Sequence, residues 1–140
     1  MHIIRGITMR ATFSCALAFS SFACGAAPAP TSDDIGQVMH GRWDRQATAS
    51  EPKSVLTINS LKIGSTDAAN EQDAINGIPR GAAVTAVLVD FTVRSYYGDS
   101  VQAVRRTREA SVYRDKFGAW EMKMGSARGQ DATTSEPVSK

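Results

Sequence analysis

The fold of this chain is decided by one segment, Val84-Thr-Ala-Val-Leu-Val-Asp-Phe-Thr-Val-Arg94. Branched and apolar residues fill most of it, and such residues favour the pleated, half-buried surface of a β-strand. Because successive side chains of a strand point to opposite faces, the segment divides into two rows. The apolar row contains Val87, Val89, Phe91 and Val93, and the mixed row contains Leu88, Asp90, Thr92 and Arg94. The segment therefore predicts a β-strand that packs its apolar face against the core.

Three more strands are expected around this segment. Residues 55–63 are rich in branched side chains and predict a strand that precedes it. The turn-rich residues 96–100 follow it, so residues 101–114 are expected to return antiparallel. A second turn at residues 115–118 leads into a last strand at 119–124. The sequence thus predicts four antiparallel strands.

One helix is expected ahead of the strands, at residues 32–45. Thr31 or Ser32 can cap it, and Asp33 and Asp34 lie where the helix dipole favours acids. Apolar residues then recur at helical spacing, namely Ile35, Val38, Met39 and Trp43. The predicted fold class is therefore α+β, with one N-terminal helix packed on a four-stranded antiparallel sheet in a single domain at residues 32–125.

Two segments give weaker patterns. Residues 67–75 either form a short helix that Gly77 stops, or belong to an extended loop that a turn at residues 78–81 closes, and a loop with one helical turn is favoured. Residues 126–140 contain no aromatic residue and only one branched aliphatic residue. Such a segment buries too little apolar area to offset the entropy of ordering it, so we expect a disordered tail.

The first 26 residues are expected to be a signal peptide. Arg5 and Arg10 precede an apolar run at residues 11–22, and small residues follow. The run is shorter than the roughly 20 residues that span a bilayer. Cleavage is expected either beside the small residues, which releases a soluble protein, or at Cys24, which would then carry a lipid. The second alternative resembles the bacterial lipoprotein box but departs from it two and three residues before the cysteine.

Export and composition together limit the classes of function. The chain has 16 basic and 14 acidic residues, and loss of Arg5 and Arg10 with the leader balances the charges, so nothing favours nucleic-acid binding. Both cysteines lie within the leader region, so no internal disulfide is expected. We expect a periplasmic protein, a lipoprotein anchored to the outer membrane, or a secreted protein, with residues 27–31 as a linker. Membrane contact is expected only through a lipid on Cys24.

No catalytic, metal or cofactor motif is recognisable. His40 is the only histidine outside the leader, and one histidine does not make a metal cluster. It is expected to pair with Asp44, four residues later on the helix. No serine lies in a nucleophile motif. We therefore expect no catalytic residue, no metal ligand and no cofactor.

The segment Val112-Tyr-Arg-Asp-Lys-Phe-Gly-Ala-Trp-Glu-Met122 resembles the last hairpin of small envelope proteins with cystatin-like and nuclear-transport-factor-like folds. The order of a helix, a strand, a long excursion and two hairpins is similar as well. This resemblance implies a curved sheet that wraps around the helix. Its ketosteroid-isomerase branch would use Asp90 with Tyr96 or Tyr97. The cystatin inhibitor loop Gln-x-Val-x-Gly is matched at residues 102–106 only with arginine in place of glycine, which argues against protease inhibition.

The candidate ligand-binding residues are Arg94, Arg106, Arg108, Asp90, Tyr96 and Tyr97. If alternation on the third strand turns Arg106 and Arg108 toward the helix, two guanidinium groups there need anionic partners. Either a bulge turns them outward, or Asp90 or Glu109 neutralises them, or they bind a small anion or a carboxylate-bearing ligand in the mouth of the sheet.

The expected function is that of a non-catalytic envelope protein whose sheet binds a partner protein or a small ligand. Two alternatives stay open: a small enzyme of the ketosteroid-isomerase type, and a structural accessory subunit whose sheet edge pairs with a neighbour. An enzyme requires an enclosed pocket with a strongly perturbed acid, whereas a binding module requires a solid core with an exposed edge or patch.

Overall fold

The computed structural model describes residues 27–138, and the signal peptide and lipidation site expected at residues 1–26 lie outside them. Residues 27–30, most of the expected linker, form neither helix nor strand. The elements that follow are α1 (Ser32–Trp43), β1 (Lys53–Ala68), α2 (Glu71–Ile75), β2 (Ala83–Tyr97), β3 (Ser100–Arg114), β4 (Trp120–Ala127) and β5 (Ala132–Pro137). Neither helix in this part of the chain is long and apolar enough to cross a membrane.

The five strands form one antiparallel sheet with the order β1-β2-β3-β4, and β5 also pairs with β3. β2 pairs with β3 along its whole length, so β4 and β5 share the opposite edge of β3. Along this edge β4 pairs with residues 108–114 of β3, and β5 pairs with residues 100–105 of β3. The short segment between β4 and β5 therefore passes beside the middle of β3.

The alternation predicted for β2 is confirmed. The apolar row is buried, with exposures of 4% for Val87, 0% for Val89, 1% for Phe91 and 8% for Val93. Ile35 and Met39 of α1, both fully buried, belong to the same core. The rings of Trp43 and Phe91 lie 5.6 Å apart, centroid to centroid, and are tilted by 42°. The helix therefore covers the face that the sequence assigned to the core.

Helix α1 ends two residues earlier than predicted, and the strands explain why. Its start follows the prediction, because the Thr31 side chain caps the backbone N–H of Asp34 and the Asp34 carboxylate accepts from the Thr31 backbone. At the other end Asp44 turns to an extended conformation, and its carboxylate accepts the backbone N–H of Leu56 at 2.6 Å. Arg45 then forms an antiparallel bridge with Ser54. Pairing with β1 thus stops the helix.

The helix contacts both β1 and β4, the two ends of the four-strand path. On the β1 side the Ser54 hydroxyl donates to the Trp43 carbonyl at 2.7 Å. On the β4 side the Arg42 guanidinium donates to the Met122 carbonyl at 3.2 Å. α1 therefore joins the outer strands through hydrogen bonds in addition to its apolar contacts.

The helix count is two instead of one, because the excursion between β1 and β2 contains α2, within the residues 67–75 for which a short helix before Gly77 or one helical turn in a loop was expected. Asn70 and Asp73 form a reciprocal capping box, and α2 ends at Ile75, two residues before Gly77 at φ +83°. Ile78, Val84 and Tyr113 then form a small second core. Val84 and Tyr113 are cross-strand partners on the face of the sheet opposite α1. The excursion therefore covers one end of that second face.

The expectation of four strands is wrong, because the segment expected as a disordered tail contains β5. Every residue of β5 is exposed, so apolar burial does not hold it. Backbone hydrogen bonds to β3 hold it instead, together with an ion pair that Asp131 makes just before it. The prediction of a disordered tail considered only the apolar area that the segment could bury. It did not consider that β3 extends beyond its pairing with β4 and leaves a free edge with which another strand can pair.

Candidate functional site

The six candidate residues do not form one site, because they lie on opposite faces of the sheet. In β2 the odd-numbered residues face α1, and Phe91 is the cross-strand partner of Arg106. Tyr97, Arg106 and Arg108 therefore lie on the helix side, whereas Asp90, Arg94 and Tyr96 lie on the other side. The structure thus brings together half of the predicted residues.

On the side away from the helix, Asp90 is held by internal partners. Arg105 donates to it through Nε at 3.0 Å, and Asn59 donates at 3.1 Å. The hydrogen bonds from Arg105 lower the pKa of Asp90 against the opposing effect of partial burial, and Asn59 lowers it further. A general base of the ketosteroid-isomerase type needs a free carboxylate beside a tyrosine. Asp90 is paired with Arg105, Tyr97 lies on the other face of the sheet, and Tyr96 lies six residues further along β2.

Arg94 and Tyr96 also contact neighbours on that face. Arg94 donates to the Thr57 hydroxyl at 3.3 Å, and the Lys53 ammonium lies 5.9 Å from the centre of the Tyr96 ring. A depression of about 450 Å³ further along this face includes Leu88 and Glu109 in its lining. Its lining contains no aromatic residue, and Glu109 is already paired with Arg128. The depression therefore lacks the aromatic side chain that lines the cleft on the helix side, and Lys62 and Ser111 are its remaining polar lining residues.

On the helix side, a cleft of about 410 Å³ opens where α1 ends. We call it the Trp43 cavity. Trp43 lines it from the helix, Val93 and Val104 are apolar lining residues from β2 and β3, and Tyr97 and Arg106 also contribute. Its volume lies within the range of roughly 300–1,000 Å³ that is usual for small-molecule sites. The rest of its lining is polar or charged apart from Pro52, namely Ser54, Ser95, Gln102 and the paired side chains of Arg45 and Glu51.

Arg106 is the charged group most directly placed on the Trp43 cavity. Its guanidinium carbon lies 5.4 Å from the centre of the Trp43 ring, which is cation–π distance. Its Nε donates to Asp131 at 3.0 Å. Its two terminal nitrogens make no hydrogen bond to any other residue in the range 27–138, and the side chain is 27% exposed. Arg106 is therefore oriented by two neighbours while part of its donor capacity stays free.

Arg108 shares the carboxylate of Asp131. One Nη of Arg108 donates to both Asp131 oxygens, at 2.7 and 2.9 Å. The sequence correctly predicted that the two arginines need an anionic partner, but neither expected acid supplies it. Asp90 pairs with Arg105, and Glu109 pairs with Arg128.

Asp131 was missed because it lies in the expected tail, although the sequence contains a signal for it. Two arginines in a core-facing row require an acid from the open edge of β3. Between β4 and residue 138 the only acids are Asp131 and Glu136.

The pKa of Asp131 makes this contact sensitive to acid. The hydrogen bonds from Arg108 lower the pKa below its ordinary 3.8, partial desolvation opposes them, and Arg106 lowers it further. A carboxylate with a lowered folded pKa contributes stability that is complete above pH 3.8 and is lost as the pH falls through the lower folded value.

We therefore expect the midpoint temperature of thermal unfolding to decrease as the pH drops below about 4. In D131N this decrease should be less steep. Thermal melts between neutral pH and about pH 2.5 would measure both slopes. Asp34, Asp44 and Asp90 also have lowered pKa values, so the difference between variant and wild type isolates Asp131. An unchanged slope in D131N would contradict the expectation. E136Q is the matched control, since Glu136 makes no ion pair with residues 27–138.

His40 and Phe117 lie outside the Trp43 cavity. His40 Nδ1 lies 2.7 Å from the Asp44 carboxylate, which confirms the predicted pair. Phe117 is 82% exposed at the β3–β4 turn, at the opposite end of β3 from Tyr96 and Tyr97. Within residues 27–138 no three histidine, cysteine or acidic side chains form a group that could hold a metal ion.

Comparisons of the chain with protein-family models, curated proteins and solved structures give no match.

Proposed function

We propose that this chain is a non-catalytic, exported envelope protein that binds a small carboxylate-bearing ligand in the Trp43 cavity. The observation that carries the proposal is the position of Arg106, which lies over an aromatic ring, lines the cavity and keeps its terminal nitrogens free. Of the two occupants expected from the sequence, a partner protein and a small ligand, the cavity favours the small ligand.

The lining of the cavity suggests how such a ligand would lie. Val93 and Val104 provide apolar contact for its body, and Trp43 adds an aromatic side chain that lies beneath the Arg106 guanidinium. The guanidinium of Arg106 matches a carboxylate in geometry and charge. Ser95 and Gln102 add a hydroxyl and an amide to the lining. These groups favour a small, largely apolar ligand that carries one carboxylate, since the one acid of the lining, Glu51, is paired with Arg45.

The envelope location in the proposal rests on the leader pattern at residues 1–26. The proposed kinship is with cystatin-like and nuclear-transport-factor-like folds. The order of α1, β1, an excursion and two hairpins supports it, as does a helix that contacts both β1 and β4.

A titration that follows tryptophan fluorescence tests the ligand site. The chain has two tryptophans, so W120F leaves Trp43 as the only indole. We expect benzoate to change its emission, and benzamide, which has a similar shape without the charge, to bind more weakly. In the same background R106Q should weaken benzoate binding at least about tenfold, because it removes a charge-assisted hydrogen bond.

R94Q is the matched control, since it makes the same change on the opposite face of the sheet, and it should bind benzoate like the parent. Two results would contradict the proposal: no response of Trp43 to benzoate, or equal losses in R106Q and R94Q.

A further inference from the structure

The contact between Asp131 and the two arginines has the form of a bound carboxylate. Arg108 donates to both oxygens, and Arg106 donates to one of them from the side of the Trp43 cavity. The arginine side chains are 27% and 19% exposed, and the acid is 34% exposed. Charge-assisted hydrogen bonds to a carboxylate in such a half-buried place are stronger than those between exposed groups. Asp131 is therefore held as an arginine-bound carboxylate next to the Trp43 cavity, although neither Asp131 nor Arg108 is among the lining residues of the cavity.

The segment that carries Asp131 has few other attachments. The turn before it contains Gly129 at φ +90°, and Arg128 attaches its start to β3 through a backbone hydrogen bond to the Thr107 carbonyl and an ion pair with Glu109. After Asp131, the six residues of β5 are all exposed and contribute no side chain to either core. Backbone pairing to residues 100–105 holds them, with one hydrogen bond from Val138 to the Asp99 carbonyl. Detachment of this segment would therefore remove no side chain from either core.

We infer that Asp131 is an internal competitor for the anion site of Arg106 and Arg108, and that a carboxylate ligand taking its place releases β5 from the edge of β3. This inference rests on the proposed function. A ligand carboxylate obtains both guanidinium groups only when Asp131 has left them. While Asp131 is bound, its negative charge repels a second anion on the same arginines. Ligand binding and β5 attachment then oppose each other, and by linkage each weakens the other.

Two measurements on D131N, with E136Q as control, test the inference. In the W120F background, D131N should bind benzoate about tenfold more tightly than the parent, whereas E136Q should bind like the parent. Hydrogen exchange should be faster at the amides of residues 132–136 in D131N without ligand. In the W120F protein, benzoate should accelerate exchange at the same amides and benzamide should not.

The outcomes separate the two proposals. If benzoate binds but D131N does not bind it more tightly, or if benzoate leaves exchange in β5 unchanged, the competition is overturned and the ligand site stands. If benzoate changes neither fluorescence nor exchange in any variant, the ligand site fails and the competition fails with it. If D131N exchanges like the parent in β5, Asp131 does not hold the strand and the inference is overturned.

Discussion

Replacing Phe91 with alanine is expected to cost about 3–5 kcal/mol of unfolding free energy, close to the whole stability of a small domain. The side chain is 1% exposed and is among the largest fully buried ones. It packs beside Trp43, and its loss leaves a cavity between α1 and the sheet that the neighbours cannot fill without moving the helix. Urea denaturation followed by far-UV circular dichroism would measure the change.

Phe117 offers a matched control for this variant. It carries the same side chain at 82% exposure on the turn between β3 and β4. F117A makes the same change in composition, and we expect its unfolding free energy to stay within about 0.5 kcal/mol of wild type. Comparable losses in F91A and F117A would mean that the face of β2 with Phe91 is not the core.

The central part of the fold could be predicted because its physics is local. The period-two pattern of β2 and the apolar spacing of α1 each determine which face is buried, so the helix, the strands and their contact follow from residues close in sequence. β5 could not be predicted in this way. Its sequence has no apolar row, and its position depends on where β4 ends and on a carboxylate that reaches two arginines over 20 residues earlier in the chain.

The candidate site shows the same division. Alternation predicted Arg106 and Arg108 on the helix side, and the structure places them there. The same alternation puts Asp90 on the opposite face of the sheet. The prediction that Asp90 shares a site with these two arginines was therefore inconsistent with the alternation that located them. The cavity itself depends on where α1 ends. The predicted helix ran two residues too far, because helical spacing gives no information on the antiparallel bridge that Arg45 forms with Ser54.

Replacing Ile35 with alanine is the second large effect we expect, at about 2–5 kcal/mol. Ile35 is fully buried, and α1 has only 12 residues. A helix of this length is marginal on its own, and Gly36 and Gly41 each weaken it by up to about 1 kcal/mol relative to alanine. α1 therefore depends on its contact with the sheet, and Ile35 and Met39 are its two buried residues.

The exposed isoleucine of α2 provides the comparison. Ile75 is 77% exposed, so I75A should change the unfolding free energy by no more than about 0.5 kcal/mol. In the W120F background, urea denaturation can be followed by the emission of Trp43 and by circular dichroism. Because α1 carries Trp43 to the cavity, I35A should lower both midpoints together, since loss of the helix and loss of the core are one event. A Trp43 transition well below the circular dichroism transition would instead show that α1 detaches while the sheet persists, and that the sheet does not require the helix.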